Sequence, residues 1–250
     1  MKLKNLLPIV LFLLPMVLFG QDTIYIDKYN DVTKLKILAN TYQFTRPDST
    51  VKDGKIVTEY YLSGKIKSEY HMVTVVMPES EEKKDVWEGS FKMWYESGQI
   101  KRDSYYHLNK VDGNFTTYWE NGKVKRHELF KDQNHVEGKC FNENGHETAY
   151  YPFHKMAEFP GGEKIMLMLI SKTLKYPDDA QKARIQGKVV VVFVVDTLGQ
   201  VNDIHLKKEF YPSMDKEALR VISLLPRWIP AETDGEKVIE WYSLPITFKL

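Results

Sequence analysis

Histidine, cysteine and carboxylate side chains are the groups in this 250-residue chain that could carry chemistry. Two His-Glu pairs, at His127 and His146, begin like the zinc motif His-Glu-x-x-His, but the final position holds Lys131 and Tyr150 instead. The sequence also contains no Gly-x-Ser-x-Gly nucleophile turn and no glycine-rich phosphate loop. The sequence therefore predicts a protein that is not an enzyme and that uses neither a metal nor another cofactor.

Cys140 is the single cysteine, and His135 and His146 lie near it in the sequence. A metal or nucleophile cluster is one interpretation of these three residues. The other is that Cys140 is a small buried apolar side chain, which we favour. It follows a glycine by two residues, as do the residues at that place in three similar segments: Ile56, Phe91 and Phe115. One cysteine also excludes an internal disulfide framework.

Charge and composition exclude further classes of protein. Hydrophobic residues make up 43% and charged residues 28% of the chain, which is typical of a globular protein. The formal net charge is +1, and it is near −1 from Gln21 onward because two lysines, Lys2 and Lys4, precede that point. A chain without a basic stripe is not expected to bind nucleic acid.

The N-terminus has the pattern of an export signal. Two lysines precede an apolar run over 6–19, which as a helix would span about 21 Å against about 30 Å of bilayer hydrocarbon. We therefore predict a signal peptide over 1–20, and we favour its cleavage over its retention as an inner-membrane anchor. This predicts a periplasmic or cell-envelope protein.

Four segments of the middle region share one frame, in which a leading glycine, an alternating apolar strand and a turn glycine follow one another. The leading glycines are Gly54, Gly89, Gly113 and Gly138, and the turn glycines are Gly64, Gly98, Gly122 and Gly145. Regular spacing indicates repeats, and the period of two indicates strands joined by tight turns. We expect a β-hairpin array over 53–151, preceded by an N-terminal β segment (21–52) with a strand at Thr23–Asp27.

These segments resemble the MORN-repeat variants of secreted bacterial proteins and of antitoxin-like proteins. Aromatic residues are dense in this region, and two interpretations are open. The aromatic rings could form a face that stacks on a sugar or a peptide. They could also be the large side chains that small hairpins need in order to bury enough area, which is the interpretation we favour.

The remaining residues predict a helix–strand–strand–helix–strand order, with a further short helix starting at Pro177. The strands are expected at Lys188–Val195, Gln200–Lys207 and Lys237–Leu250. Pro245 cannot donate a backbone hydrogen bond, so the last strand is predicted to lie at a sheet edge. Its even-numbered residues from Tyr242 to Phe248 are expected to share one face of the sheet.

This region, about 157–250, resembles the C-terminal domain of TonB-type energy transducers. The matching positions include Tyr176, Pro177, Ala180, Gly187, Gly199, Trp228, Pro230 and Pro245. The resemblance implies an α+β fold, with two helices on one face of a three-stranded antiparallel sheet. It also implies that the last strand pairs with a TonB-box peptide of an outer-membrane receptor. The edge residues are Trp241, Tyr242, Ser243, Leu244, Ile246, Thr247 and Phe248.

Two departures from the transducer pattern concern force transmission. Transducers carry an inner-membrane anchor that meets motor proteins, followed by a long proline-rich spacer. Here the hydrophobic run is short, and none of the 11 prolines are adjacent. Pairing with a receptor is therefore expected. Inner-membrane motor proteins are a second class of partner, and only the resemblance implies them.

The strand Lys188–Val195 is apolar on both of its faces. Val190, Val192 and Val194 would line the face away from the helices, where soluble proteins rarely leave an apolar patch. We expect this face to be covered by the repeats or by a second copy of the chain, so a homodimer is predicted as one of two arrangements.

The leading functional interpretation is a non-catalytic, TonB-like envelope protein. It would bind outer-membrane TonB-dependent receptors by β-strand addition, in transmembrane transport and energy transduction. The alternative is a structural or scaffolding module whose repeat surface binds a peptide, a toxin or a glycan.

Overall fold

A computed structural model of the chain describes residues 23–27, 32–34, 36–77 and 81–250. The predicted signal peptide lies outside the described residues. The chain divides into two compact units, Met1–Tyr150 and Tyr151–Leu250, and each is described by itself.

The first unit is built almost entirely of strands. They are β1 Ile24–Asp27, β2 Val32–Thr33, β3 Ala39–Asp48, β4 Gly54–Tyr61, β5 Ile66–Val76, β6 Lys83–Trp94, β7 Ile100–His107, β8 Lys110–Tyr118, β9 Val124–Lys131, β10 Asn134–Phe141 and β11 Glu147–Thr148, with a short 3-10 helix at Lys36–Leu38. Over the described residues they form one antiparallel sheet, in which β3 to β11 follow one another in chain order and β1 and β2 lie beyond β3.

The four predicted hairpins are present, and their turns share one hydrogen-bond pattern. The Tyr95 N–H donates to the Gln99 carbonyl, and the Gly98 N–H donates back to the Tyr95 carbonyl at 2.9 Å. The same pair of bonds recurs in the other three turns, which begin at Tyr61, Trp119 and Asn142. All four turn glycines have positive φ, the conformation that glycine adopts without strain. The prediction of a hairpin array is confirmed.

Successive hairpins are joined by side chains of the turns as well as by the sheet. The Tyr61 hydroxyl donates to the Trp94 carbonyl at 2.8 Å, and the Tyr95 hydroxyl donates to the Tyr118 carbonyl at 2.8 Å. Trp119 repeats the contact with its indole N–H, which donates to the Phe141 carbonyl at 2.9 Å. An aromatic donor at the start of each of the first three turns therefore ties one repeat to the next.

On one face of this sheet, an arginine lies between buried aromatic rings. The Arg102 guanidinium lies between the rings of Phe91 and Phe115, 4.5 and 4.6 Å from their centroids. Phe115 is 3% exposed and Phe91 8% exposed, so these rings are core side chains. This burial supports the interpretation in which the aromatic residues stabilise small hairpins.

Cys140 is buried, as predicted, but the frame assigned to it is wrong. Cys140 pairs with Arg126, which pairs on its other side with Thr117, so Cys140 occupies the place of Thr117 and not that of Phe115. The place of Phe115 belongs to Gly138. A Cβ at Gly138 would lie 2.8 Å from the ring of Tyr150, which fills the space of the missing side chain.

A similar correction applies to the first repeat, in which the frame predicts that Ile56 is equivalent to Phe91 of the second repeat. Val57 pairs with Tyr70, and Tyr70 pairs with Phe91, so Val57 lies in the row of Phe91. Ile56 pairs with His71 and belongs to the opposite face. The reason is that Gly54 lies seven residues before its turn residue Tyr61, whereas Gly89 lies six before Tyr95.

The second unit combines helices and strands. They are β12 His154–Lys155, α1 Gly162–Thr173, α2 Asp178–Lys182, β13 Gly187–Val195, β14 Val201–Leu206, α3 Pro212–Ser223, β15 Ala231–Thr233, β16 Glu236–Val238 and β17 Glu240–Phe248. One antiparallel sheet has the order β14-β13-β17, and its core side chains pack with those of the helices. The architecture is α+β, as predicted.

The unit has the three helices predicted from the residues, with α2 as the short helix expected after Pro177, whereas the resemblance implies two. Two details of this unit differ from the predictions. The strand predicted over Lys237–Leu250 is broken at Ile239, because β16 pairs with β15 whereas β17 pairs with β13. The sequence also does not predict the small sheet β12-β15-β16, whose strands have two or three residues.

The second face of β13 is partly covered within its own sheet. Val194 is 1% exposed, whereas Val190 and Val192 are half-buried. The rings of His205 on β14 and Trp241 on β17 meet at 5.9 Å, so they cross the strand between them. Cover of this face by another body stays a prediction.

Candidate functional site

The strand β17 is the last in its sheet, with β13 as its neighbour. The two strands pair without interruption from Glu240, opposite Val195, to Phe248, opposite Gly187. Within the described residues no strand pairs with the other side of β17. All seven predicted edge residues from Trp241 to Phe248 therefore lie on one open edge.

The direction of the backbone groups along this edge follows from β14. The Val190 carbonyl accepts a hydrogen bond from the Lys207 N–H at 2.9 Å, so the backbone groups of Val190 point away from β17. Pro245 lies directly opposite Val190. In an antiparallel pair of this kind both residues point away from each other, so Pro245 faces the open edge. Ser243 and Thr247, two residues to either side, face the same way.

Side chains alternate along β17 as predicted. Tyr242, Leu244, Ile246 and Phe248 point into the unit, and the last two are each 2% exposed. Trp241, Ser243, Pro245 and Thr247 are exposed on the opposite face. The edge thus presents its backbone to solvent while its inward side chains anchor it in the core.

The beginning of β17 is fixed by a cluster around Glu240. One carboxylate oxygen accepts from the Ala157 backbone N–H at 2.7 Å, and the other lies 3.0 Å from the His154 ring. The Tyr242 hydroxyl donates to the Ala157 carbonyl, and its oxygen lies 3.2 Å from the Glu240 carboxylate. Burial of this hydroxyl, reinforced by the Glu240 carboxylate, raises the pKa of Tyr242 to about 12. The cluster ties the start of the edge strand to the segment around Ala157.

Two of the motif glycines allow close backbone packing behind the edge. Gly199 has φ of 78°, and a Cβ there would collide with the Trp228 carbonyl oxygen. The Trp228 N–H donates to the Gly199 carbonyl at 2.8 Å. Gly187 begins β13, and a Cβ there would meet the ring of Phe210. The Trp228 ring lies 4.8 Å from that of Tyr242, so the turn at Gly199 is packed against the edge strand.

The other motif residues have structural positions. The Tyr176 hydroxyl donates to the Ile185 carbonyl, and its ring meets Phe248 edge-on at 5.8 Å. Pro177 immediately precedes α2, in which Ala180 is fully buried. Pro230 follows the backbone bridge between Ile229 and Glu158. Ala180 belongs to the buried core cluster of this unit, and Tyr176 packs against that cluster.

The first unit contains polar contacts that the sequence did not reveal. Asp48 accepts hydrogen bonds from the hydroxyl and N–H of Thr50 and lies 2.8 Å from the His71 ring. These contacts, those of Thr50 above all, lower the pKa of the Asp48 carboxyl to about 2. Over the described part of the chain, His, Cys, Asp and Glu side chains form no group of three placed to hold a metal ion.

Two regions of the chain match models of known families. Residues 172–250 match the Gram-negative bacterial TonB protein C-terminal. Residues 54–73, 87–107 and 111–132 match the MORN repeat variant. Neither curated proteins nor solved structures gave a match. Among the described residues, no helix has the length and apolar character needed to cross a membrane.

Both matched families are families of non-catalytic domains. Their order along the chain agrees with the resemblance drawn from the sequence, repeats first and C-terminal domain second. The chain therefore carries hairpin repeats that match the MORN repeat variant, followed by a region that matches the TonB C-terminal domain.

Proposed function

We propose that this protein binds outer-membrane TonB-dependent receptors in the cell envelope and acts in transport across that membrane without catalysing a reaction. The receptor would contribute a short extended peptide of the TonB-box type. This peptide would add to the sheet beside β17, with main-chain hydrogen bonds giving most of the affinity.

The observation that carries this proposal is the open edge of β17. The strand is held on one side by an unbroken ladder to β13, and its inward side chains are fixed in the core. Its outward backbone groups at Ser243 and Thr247 face solvent. A rigid strand with an unpaired edge is the feature that strand addition requires.

Site-specific photo-crosslinking in cells tests the proposal. A photoreactive residue replaces Ser243 at the edge or, as the control, Ser223 at the exposed end of α3. The photoreactive residue at position 243 is expected to crosslink to the periplasmic N-terminal segment of TonB-dependent receptors. Mass spectrometry identifies the crosslinked segment. Equal receptor adducts from both positions, or none from Ser243, would contradict receptor pairing at this edge.

The scaffolding alternative rests on the surface of the repeats. The rings of Phe91, Tyr106 and Phe115 are 8%, 7% and 3% exposed, so they offer little surface for a sugar or a peptide to stack on. This burial favours the receptor-binding proposal over an aromatic ligand face.

A further inference from the structure

Pro245 divides the open edge of β17 into two unequal parts. Ser243 and Thr247 each present a backbone N–H and a carbonyl to the edge, whereas Pro245 between them presents a carbonyl alone. The two donors are four positions apart, which is about 13 Å along a strand. An added strand that ran past Pro245 would place one carbonyl opposite a proline ring, where it finds no donor.

The apolar surface beside the edge is also unequal. On the inward face Ile246 and Phe248 are already buried, whereas Tyr242 and Leu244 are half-buried. Alternate side chains of an added strand can therefore cover apolar surface on the Ser243 side of the proline, and they gain little on the Thr247 side. An outward-facing backbone N–H and apolar surface that is still exposed therefore occur together at Ser243 and Leu244.

We infer that Pro245 makes this edge selective: it accepts a short extended strand of another protein beside Ser243 and Leu244, and it rejects a second copy of β17. The partner is an extended peptide with apolar side chains at alternate positions. This inference deepens the proposed function and rests on it for the identity of the partner.

Rejection of a second copy follows from symmetry. Two β17 strands that pair antiparallel about a two-fold axis bring a proline from each copy into the same short ladder. In such a pair, the carbonyl opposite each proline has no N–H to accept from. A peptide from another protein lies beside one proline only, and its paired segment can end before it reaches that proline. Proline on an edge strand is a known means of preventing edge-to-edge association.

Self-association of the full chain tests this step. Pro245→Val restores the missing donor, and Thr247→Val is the matched control, because it places the same side chain on the same face of the same edge. Analytical ultracentrifugation is expected to show self-association strengthened by about tenfold or more in P245V. T247V is expected to associate as the unchanged chain does. Equal association of the two variants would overturn the role of the proline.

Peptide binding tests the division of the edge. The probe is a fluorescein-labelled heptapeptide of alternating threonine and valine, and its binding to the full chain is followed by fluorescence anisotropy. Ser243→Pro and Thr247→Pro each remove an outward-facing N–H, and neither breaks the ladder to β13. S243P is expected to weaken binding about tenfold, and T247P much less. Circular dichroism confirms that both variants are folded.

The two experiments separate failure of the inference from failure of the proposed function. If S243P and T247P weaken the heptapeptide equally, the division of the edge is wrong, although the edge still binds a strand. If the unchanged chain does not bind the peptide, strand addition fails, and the ultracentrifugation alone decides whether Pro245 opposes self-pairing.

Discussion

Gly199 is the residue of the second unit at which the addition of a single methyl group should be most destabilising. Its positive φ would cost an alanine about 1–2 kcal/mol, and its Cβ would in addition collide with the Trp228 carbonyl. Gly235 has the same φ of 78°, but its Cβ would be in ordinary contact, 3.5 Å from the Tyr151 ring. Urea unfolding should therefore show Gly199→Ala to be more destabilising than Gly235→Ala by about 2 kcal/mol. Equal losses would mean that Trp228 moves aside at little cost.

Tyr242 makes stability depend on alkaline pH. Burial, with the Glu240 carboxylate, raises the pKa of its hydroxyl to about 12, whereas an unfolded tyrosine titrates near 10. A group with a raised pKa in the folded state stabilises fully below the unfolded pKa, and this contribution is lost as pH rises through the folded value. Stability should therefore decline between about pH 10 and 12, and less steeply in Tyr242→Phe.

Denaturation at a series of pH values measures this decline. The exposed Tyr105 supplies the control, because Tyr105→Phe should leave the slope unchanged. At neutral pH, Tyr242→Phe should cost about 1 kcal/mol through loss of the hydroxyl bond to Ala157. A slope that is unaltered in Tyr242→Phe would show that this hydroxyl does not govern the alkaline limit.

At the scale of elements, the repeat hairpins depend on their buried rings. Phe115 is 3% exposed and stacks against Arg102 at 4.6 Å, so its removal leaves a cavity beside a charged group. Phe115→Ala is expected to cost about 3–5 kcal/mol in the unfolding of the first unit. Tyr105→Ala, on the neighbouring strand and half exposed, should cost far less. Similar losses for both would place the ring of Phe115 at the surface.

The hairpins could be predicted because their signals are local. A glycine that must take positive φ, such as Gly98, marks its turn directly in the sequence. The leading glycine gives the wrong place for Cys140, because Gly138 lies only four residues before its turn residue Asn142, whereas Gly113 lies six before Trp119. The register is set by the turn, so counting back from Gly145 would have found the frame.

The edge position of β17 could be predicted from Pro245, whereas the surroundings of the edge could not. The break at Ile239 depends on which of two sheets each half of the segment joins, and this is decided by contacts with β13 and β15, which are distant in sequence. The contacts of Glu240 with His154 and Ala157 join residues more than 80 positions apart. The stacking of Arg102 between two rings likewise requires three strands to be in register.

At the scale of the whole molecule, the predicted export would bring the proposed edge to the compartment in which it could meet a receptor. The short apolar run over 6–19 predicts cleavage near Gln21. Intact-mass analysis of protein recovered from the envelope should give a chain that starts at or near Gln21. A chain that retains Met1 would instead indicate an uncleaved anchor.

The second face of the β14-β13-β17 sheet indicates whether another body covers part of the second unit. Val190 and Val192 are half-buried, and the Trp241 ring beside them is 36% exposed, so an apolar strip remains in reach of solvent. If another body covers this strip, the isolated unit 151–250 should self-associate. Replacing both valines with threonine should then improve its solubility without loss of folding, because threonine keeps the β-branched shape and removes apolar area.

Sedimentation and thermal unfolding of the isolated unit, with and without the two substitutions, measure this effect. A soluble, monomeric unit that the substitutions destabilise would mean that the valines are covered within the unit itself, since loss of buried methyl groups lowers stability only where they are already packed.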